Sequence, residues 1–124
     1  MFRNFWSAFG SKFKVDKNAL IVNKHRVEFQ HNIQNVIPID KTLVVLLHIP
    51  FNETFLDNVF AVSNEGKVVW RIQNPSEVYP INERLPYEYM RLDESGNMVV
   101  TDFVGIRYQV NPVNGKIIGR DCVK

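Results

Sequence analysis

The chain has very little cysteine. Cys122 is the only cysteine among its 124 residues, so no disulfide can form within the chain. No stretch approaches the roughly 20 consecutive apolar residues of a membrane-spanning helix, and the longest apolar run, Leu43 to Leu47, predicts a buried strand instead. The first residues are aromatic and polar, and they lack the apolar segment of a secretory signal peptide. These absences predict a protein of the reducing cytoplasm, and the length is enough for one domain with one core.

The chain also lacks the residue patterns that usually carry chemistry. Its three histidines, His25, His31 and His48, do not pair with cysteine or carboxylate at metal-ligand spacing. There is no phosphate-binding glycine loop, nucleophile elbow or zinc-protease helix. We therefore expect no metal, no cofactor and no catalytic residues. One alternative stays open, a small-ligand-binding or hydrolytic enzyme with a site near Asp102 and His48, although Asp102 is better placed to cap the turn after its strand.

The chain also carries little net charge. The formal net charge is +2, although residues 1–31 hold six basic and two acidic residues. Basic side chains interleaved with aromatic ones can bind single-stranded nucleic acid. Here they are scattered, and neither an aromatic RNA-binding signature nor a zinc knuckle accompanies them. Nucleic acid is therefore a disfavoured partner.

What the chain does contain is a unit that occurs twice. The copies cover residues 33–72 and 87–119, and each predicts a four-stranded antiparallel meander. Both carry a polar turn that opens with Asp, an apolar strand, and later an aromatic residue, a Val and a turn ending in Gly-Lys. Glycine supplies the positive φ that closes such a hairpin, and β-branched residues after it favour a strand. Hairpins are therefore predicted at Gly66-Lys67 and Gly115-Lys116.

One stretch of the first copy resembles a known repeat. Residues 58–70, NVFAVSNEGKVVW, are similar to a blade of the quinoprotein-type β-propeller, which has a small or aromatic strand, a Gly-Lys turn, an apolar pair and Trp. In the second copy Gly119 stands near the position of that Trp. The resemblance covers roughly the last two thirds of the chain and implies blade-like sheets. It implies no quinone cofactor, because that site needs many blades around a channel and closed propellers have about 4–8 blades.

The first ten residues concentrate aromatic side chains. Phe2, Phe5, Trp6 and Phe9 have the i, i+3, i+4, i+7 spacing of one helix face, and Gly10 would end that helix. Because so short a helix is stable only when it packs on something, we expect it to cover an open edge of the sheet. The alternative is a membrane-surface protein that docks through the same four aromatic residues.

The predicted fold is all-β. Two antiparallel four-stranded blade-like sheets form a sandwich or a partly open barrel, with a short N-terminal amphipathic helix and a hairpin as cover. Strands of the hairpin are predicted at residues 13–15 and 19–22, with a third strand near 26–29. Residues 1–124 would form a single domain made of the cover (1–32), the first repeat (33–72), a connection (73–86) and the second repeat (87–119).

The irregular segment 73–89 is the best candidate for recognition. Its prolines argue against a central strand, and it concentrates Tyr79, Arg84, Tyr87 and Tyr89. Tyr and Arg dominate binding hot spots, and long loops on rigid sheets often carry function. The alternative is a rigid crossover whose tyrosines are half buried.

These features favour a small non-catalytic protein-binding module, and an immunity or antitoxin-type inhibitor is one concrete version of it. We expect a protein partner. We also expect a homo-oligomer, because two such units leave strand edges to be paired.

Overall fold

The structure, a computed structural model, describes residues 3–6 and 12–122; for residues 3–6 and 12 it describes the backbone alone. These residues form twelve strands and one 3-10 turn, Pro75–Glu77. The strands make three four-stranded antiparallel sheets, and each sheet is a meander of consecutive strands that does not close on itself. The all-β prediction is confirmed.

The three sheets follow one another along the chain. The first contains β1 (Arg3–Trp6), β2 (Lys12–Asp16), β3 (Ala19–Val22) and β4 (His25–Glu28). The second contains β5 (Ile33–Ile39), β6 (Thr42–Leu47), β7 (Val59–Ser63) and β8 (Val68–Arg71). The third contains β9 (Tyr87–Leu92), β10 (Met98–Asp102), β11 (Ile106–Val110) and β12 (Ile117–Cys122). Each predicted four-stranded unit therefore coincides with one sheet, while the repeat relationship and the likeness to propeller blades stay predictions.

The predicted N-terminal helix is wrong. Arg3–Trp6 is a strand that pairs antiparallel with β2, with Arg3 opposite Val15 and Trp6 opposite Lys12. Aromatic residues favour strands, and pairing with a preformed hairpin supplies hydrogen bonds that an isolated short helix lacks. The N-terminal segment is thus part of the first sheet, although Phe2 and Phe9 of the predicted aromatic face lie outside the described residues.

The second sheet lies in the middle of the molecule because both of its faces are buried. Along β6, alternate side chains join different cores: Val44 and Leu46 face the third sheet, whereas Leu43, Val45 and Leu47 face the first. All five are at most 1% exposed. A strand buried on both faces needs a continuous apolar run rather than an alternating one. This explains the longest apolar run of the sequence.

Contacts at two turns fix how neighbouring sheets pack. The predicted Gly-Lys hairpins are present, with φ of 76° at Gly66 and 74° at Gly115. A Cβ on Gly66 would fall against the side chain of His25 in β4, and one on Gly115 would lie 2.5 Å from Cε3 of Trp70 in β8. Trp70 Nε1 also donates to the Pro112 carbonyl, at 3.1 Å. At each turn, the missing Cβ of the glycine therefore leaves room for a side chain from the outermost strand of the preceding sheet.

A buried amide joins the second and third sheets. Asn58, which is fully buried, donates from Nδ2 to the carbonyls of Leu47 (2.9 Å) and Tyr87 (2.8 Å). Its Oδ1 accepts from the backbone N–H of Tyr87, at 2.9 Å. Gln34 adds a second link by donating to the carbonyl of Glu88, at 2.7 Å. These bonds set the position of β9, the strand that carries the site described next.

Candidate binding groove on the third sheet

The third sheet has a groove on the face that points away from the second sheet. We call it the outer groove. Its volume is about 610 Å³, within the range of roughly 300–1,000 Å³ that ligand pockets occupy. Its lining comes from β9, β10, β11 and the turn between the last two, and includes Tyr89, Arg91, Val99, Thr101, Val104 and Arg107.

A β-bulge separates two tyrosines on β9. Tyr89 lies opposite Thr101 and Tyr87 lies opposite Asp102, so Glu88 is an extra residue on β9. In a regular strand, residues two apart share a face. The bulge changes that: Tyr87 turns into the core and is 2% exposed, whereas Tyr89 is 64% exposed at the outer groove.

The turn between β10 and β11 presents apolar side chains to solvent. Asp102 Oδ1 accepts from the backbone N–H groups of Val104 and Ile106, each at 3.0 Å. Gly105 completes the turn with a φ of 95°. Asp102 thus caps the turn, as its position in the sequence predicts. The capped turn holds Phe103 and Val104, 38% and 67% exposed, at the edge of the outer groove.

Two arginines contribute to the lining, and they differ in their partners. Arg107 forms a bidentate pair with Asp121, with Nε to Oδ1 at 2.8 Å and Nη2 to Oδ2 at 2.7 Å. This pairing raises the pKa of Arg107 and lowers the pKa of Asp121. Arg91 lies opposite Val99 in the ladder, and its side chain makes no hydrogen bond or ion pair with any residue that the structure describes. Its positive charge nevertheless helps to lower the pKa of Asp93 and of Asp121. The free guanidinium at the outer groove is therefore that of Arg91.

Most carboxylates near the outer groove are engaged by the chain's own donors. Asp93 Oδ1 accepts from the backbone N–H and the hydroxyl of Ser95 and from the N–H of Asn97, at 2.8 to 3.0 Å. These bonds, chiefly the one from the Ser95 hydroxyl, lower the pKa of Asp93. Glu88 differs, since within the described residues its carboxylate makes no hydrogen bond or ion pair. A free acid and a free base thus flank Tyr89 on one strand.

The structure separates the four residues predicted to form an interaction surface. Of these, Tyr89 lies at the outer groove. Tyr79 is half-buried over the inner face of the third sheet, with its ring centroid 6.3 Å from that of Tyr108. The guanidinium of Arg120 covers Tyr79 at 4.3 Å from the ring centroid. Tyr79 is therefore part of the packing of the connection.

Arg84 and Tyr87 lie in a polar cluster beneath the same connection. Arg84 Nη2 pairs with Asp57 Oδ1, and both side chains are less than one-fifth exposed. The ring of Tyr87 meets that of Tyr108 edge to face, with centroids 6.0 Å apart. Burial, with a smaller contribution from Asp57, raises the pKa of Tyr87 far above its usual value. The Tyr87 hydroxyl is therefore neutral at physiological pH.

The alternative of an enzyme with a site near Asp102 and His48 stays a prediction. Asp102 lines the outer groove, whereas His48 follows β6, is exposed, and does not line it. Within residues 3–6 and 12–122, no three His, Cys, Asp or Glu side chains form a group that could hold a metal ion. In the same part of the chain, no helix is long and apolar enough to cross a membrane.

Comparison with known proteins gives a family for nearly the whole chain. Residues 11–122 match a family described as a domain of unknown function (DUF7957). The chain belongs to this family. No curated protein matches the chain. The match begins just before β2 and ends with β12, so it includes every residue of the outer groove.

Sequence reasoning missed Arg91, Phe103, Val104 and Arg107. A usable signal was present at residues 102–105, where an apolar pair occupies a short turn between two apolar strands. Turn positions are usually polar, so an exposed Phe-Val pair points to a surface with a binding role. The bulge at Glu88 left no such signal.

Proposed function

We propose that this domain is a non-catalytic protein-binding module whose partner places an apolar side chain, next to a carboxylate, in the outer groove. The proposal rests on one observation, the largely exposed ring of Tyr89 beside the unpaired guanidinium of Arg91. Tyrosine and arginine are the side chains that most often dominate binding energy at interfaces. Here both project from a strand rather than from a loop.

The rigidity of β9 supports this function. Tyr89 sits in the ladder opposite Thr101, and β9 is tied to the second sheet through Asn58 and Gln34. A surface that is already ordered loses little conformational entropy when a partner binds. Tyr89 and Arg91 are thus presented in a fixed arrangement.

The charges around the outer groove support the choice of ligand. Arginine recognises a carboxylate through two parallel hydrogen bonds, and Arg91 has its donors free for this. The carboxylates of Asp93, Asp102 and Asp121 are held by internal donors and oppose an acidic ligand less than free acids would. Glu88 disfavours a second acidic residue on its side of Tyr89, which gives the bound segment a direction.

An immunity or antitoxin-type inhibitor remains our specific version of this function. Such inhibitors act by surface complementarity and need no reacting group. The cytoplasmic location and the homo-oligomer stay predictions, as does membrane docking through the N-terminal aromatic residues.

Peptide selection tests the proposal while the partner is still unidentified. A random 12-residue displayed library would be selected against the wild-type domain, and the affinities of individual peptides measured by fluorescence anisotropy. We expect peptides with an aromatic or aliphatic residue next to Asp or Glu. Tyr89→Ala should weaken binding about 30-fold, as at a hot spot, and Arg91→Glu by about 10-fold or more.

Two variants serve as matched controls. Phe51, on the loop between β6 and β7, is 98% exposed and does not line the outer groove, so Phe51→Ala should leave the affinity unchanged. Glu88→Gln should keep or improve it. If Tyr89→Ala binds the selected peptides as well as the wild type, the proposed site is wrong. If the selected peptides carry no acidic residue, the assignment of Arg91 is wrong.

A further inference from the structure

A second, much smaller cavity lies between the inner face of the third sheet and the connection 73–86. Its volume is about 10 Å³. Arg84, Tyr87, Asp102 and Tyr108 are among the residues that line it, together with apolar side chains of the connection. Asp102 lines this cavity and the outer groove alike.

Two buried donors of residues that line this cavity have no hydrogen-bond partner among the residues that the structure describes. They are the hydroxyl of Tyr87 and the Nε–H of Arg84, although Arg84 uses Nη2 to pair with Asp57. Tyr87 is 2% exposed, so bulk water does not reach its hydroxyl. Leaving a buried polar group unpaired costs about 1–3 kcal/mol, and most such groups in folded proteins find a protein or water partner.

The volume of the cavity and the polar groups that line it fit one water molecule. Roughly 10–15 Å³ of accessible volume is enough to hold one water molecule, and the water needs two to four polar partners. Organic ligands are far too large. An anion is disfavoured because the carboxylates of Glu83 and Asp102 also line the cavity. Water, unlike an anion, can accept from two donors and still donate to a carboxylate.

We propose that this cavity is a binding site for a single ordered water molecule. The water accepts hydrogen bonds from Arg84 Nε and the Tyr87 hydroxyl, and Asp102 provides the acceptor for its own protons. One water molecule thereby joins three parts of the chain: the connection through Arg84, the start of β9 through Tyr87, and the end of β10 through Asp102.

Crystallography and a matched pair of variants test the site. A crystal structure at about 1.3 Å should show one solvent peak at 2.6–3.2 Å from both Tyr87 Oη and Arg84 Nε. Tyr87→Phe removes one partner of the water and should raise the unfolding equilibrium constant about fivefold, measured by urea denaturation. Tyr89→Phe, the same change at an exposed position on the same strand, should leave that constant unchanged.

Either measurement can overturn the proposal. It fails if the structure shows Tyr87 Oη or Arg84 Nε bonded directly to a protein acceptor with no solvent peak between them. It fails as well if Tyr87→Phe is as stable as the wild type. A peak that bromide replaces, seen by anomalous scattering after soaking, would assign the site to an anion instead of water.

Discussion

The two faces of the third sheet use the same strands for opposite purposes. The inner face packs Met90, Val100 and Tyr108 against the second sheet, whereas the outer face leaves Tyr89 and Arg91 accessible. Inward and outward side chains alternate along the strands, but Tyr87 and Tyr89 are two residues apart and would share a face if the extra residue Glu88 did not interrupt the ladder between them. A local irregularity of the ladder therefore decides which tyrosine packs in the core and which is exposed at the outer groove.

The largest expected effect is the difference in free energy of unfolding between two variants, in which Tyr87 or Tyr89 is replaced by alanine. Tyr87→Ala removes a buried ring from the core between the second and third sheets and should lower the free energy of unfolding by about 4 kcal/mol. Tyr89→Ala should change it by no more than about 0.5 kcal/mol, since the ring is exposed. Urea denaturation of both variants checks this. Equal losses would mean that the bulge does not separate the two environments.

A smaller effect is expected from two glycines that share a backbone conformation but not their surroundings. Gly96 has φ of 85°, and a Cβ added there would meet nothing within 4 Å, whereas Gly115 has φ of 74° and faces the ring of Trp70. Gly96→Ala should cost about 1 kcal/mol from the positive φ alone. Gly115→Ala should cost about 2–3 kcal/mol, because strain and the clash with Trp70 combine.

The expected difference between Gly96 and Gly115 is contradicted if the two alanine variants lose the same stability. Thermal or urea denaturation measures the difference directly. It would then follow that the Trp70 ring moves to admit a Cβ at residue 115 without loss of stability. The two glycines would then be needed only for their positive φ.

The smallest expected effect is the contribution of Asp93 to the pH dependence of stability. Hydrogen bonds from Ser95 and Asn97 hold the folded-state pKa of Asp93 below its ordinary value of 3.8. A lowered folded-state pKa gives stability that is present above pH 3.8 and is lost as the pH falls through the folded-state value. Asp93→Asn should therefore have a lower urea midpoint than the wild type at pH 7. Its midpoint should also fall less than that of the wild type when the pH is lowered to about 2. A difference from wild type that is the same at both pH values contradicts this.

Much of the fold could be predicted because its signals are local. The hairpin strands of the first sheet, the two four-stranded units and the Gly-Lys turns each depend on a few neighbouring residues. The apolar run from Leu43 to Leu47 likewise predicts a buried strand. Both faces of this strand are buried because the first and third sheets pack on either side of it. A local sequence pattern does not reveal that arrangement.

The errors arose where pairing partners decide the structure. The aromatic spacing of the first ten residues fits a helix face, yet Arg3–Trp6 pairs with β2, which local spacing does not reveal. The same holds at the site. Tyr87 and Tyr89 have identical spacing signals, and only the register of β9 against β10 places one inside and the other at the outer groove.

The position of Asp102 has a consequence for how binding could be detected. Its carboxylate borders the outer groove on one side and the small cavity on the other. A ligand that displaces the turn after β10 must therefore disturb the surroundings of Tyr87 and Tyr108, which lie within the protein. Tyrosine absorbance in the near ultraviolet would then report, from the interior, an event that takes place at the surface.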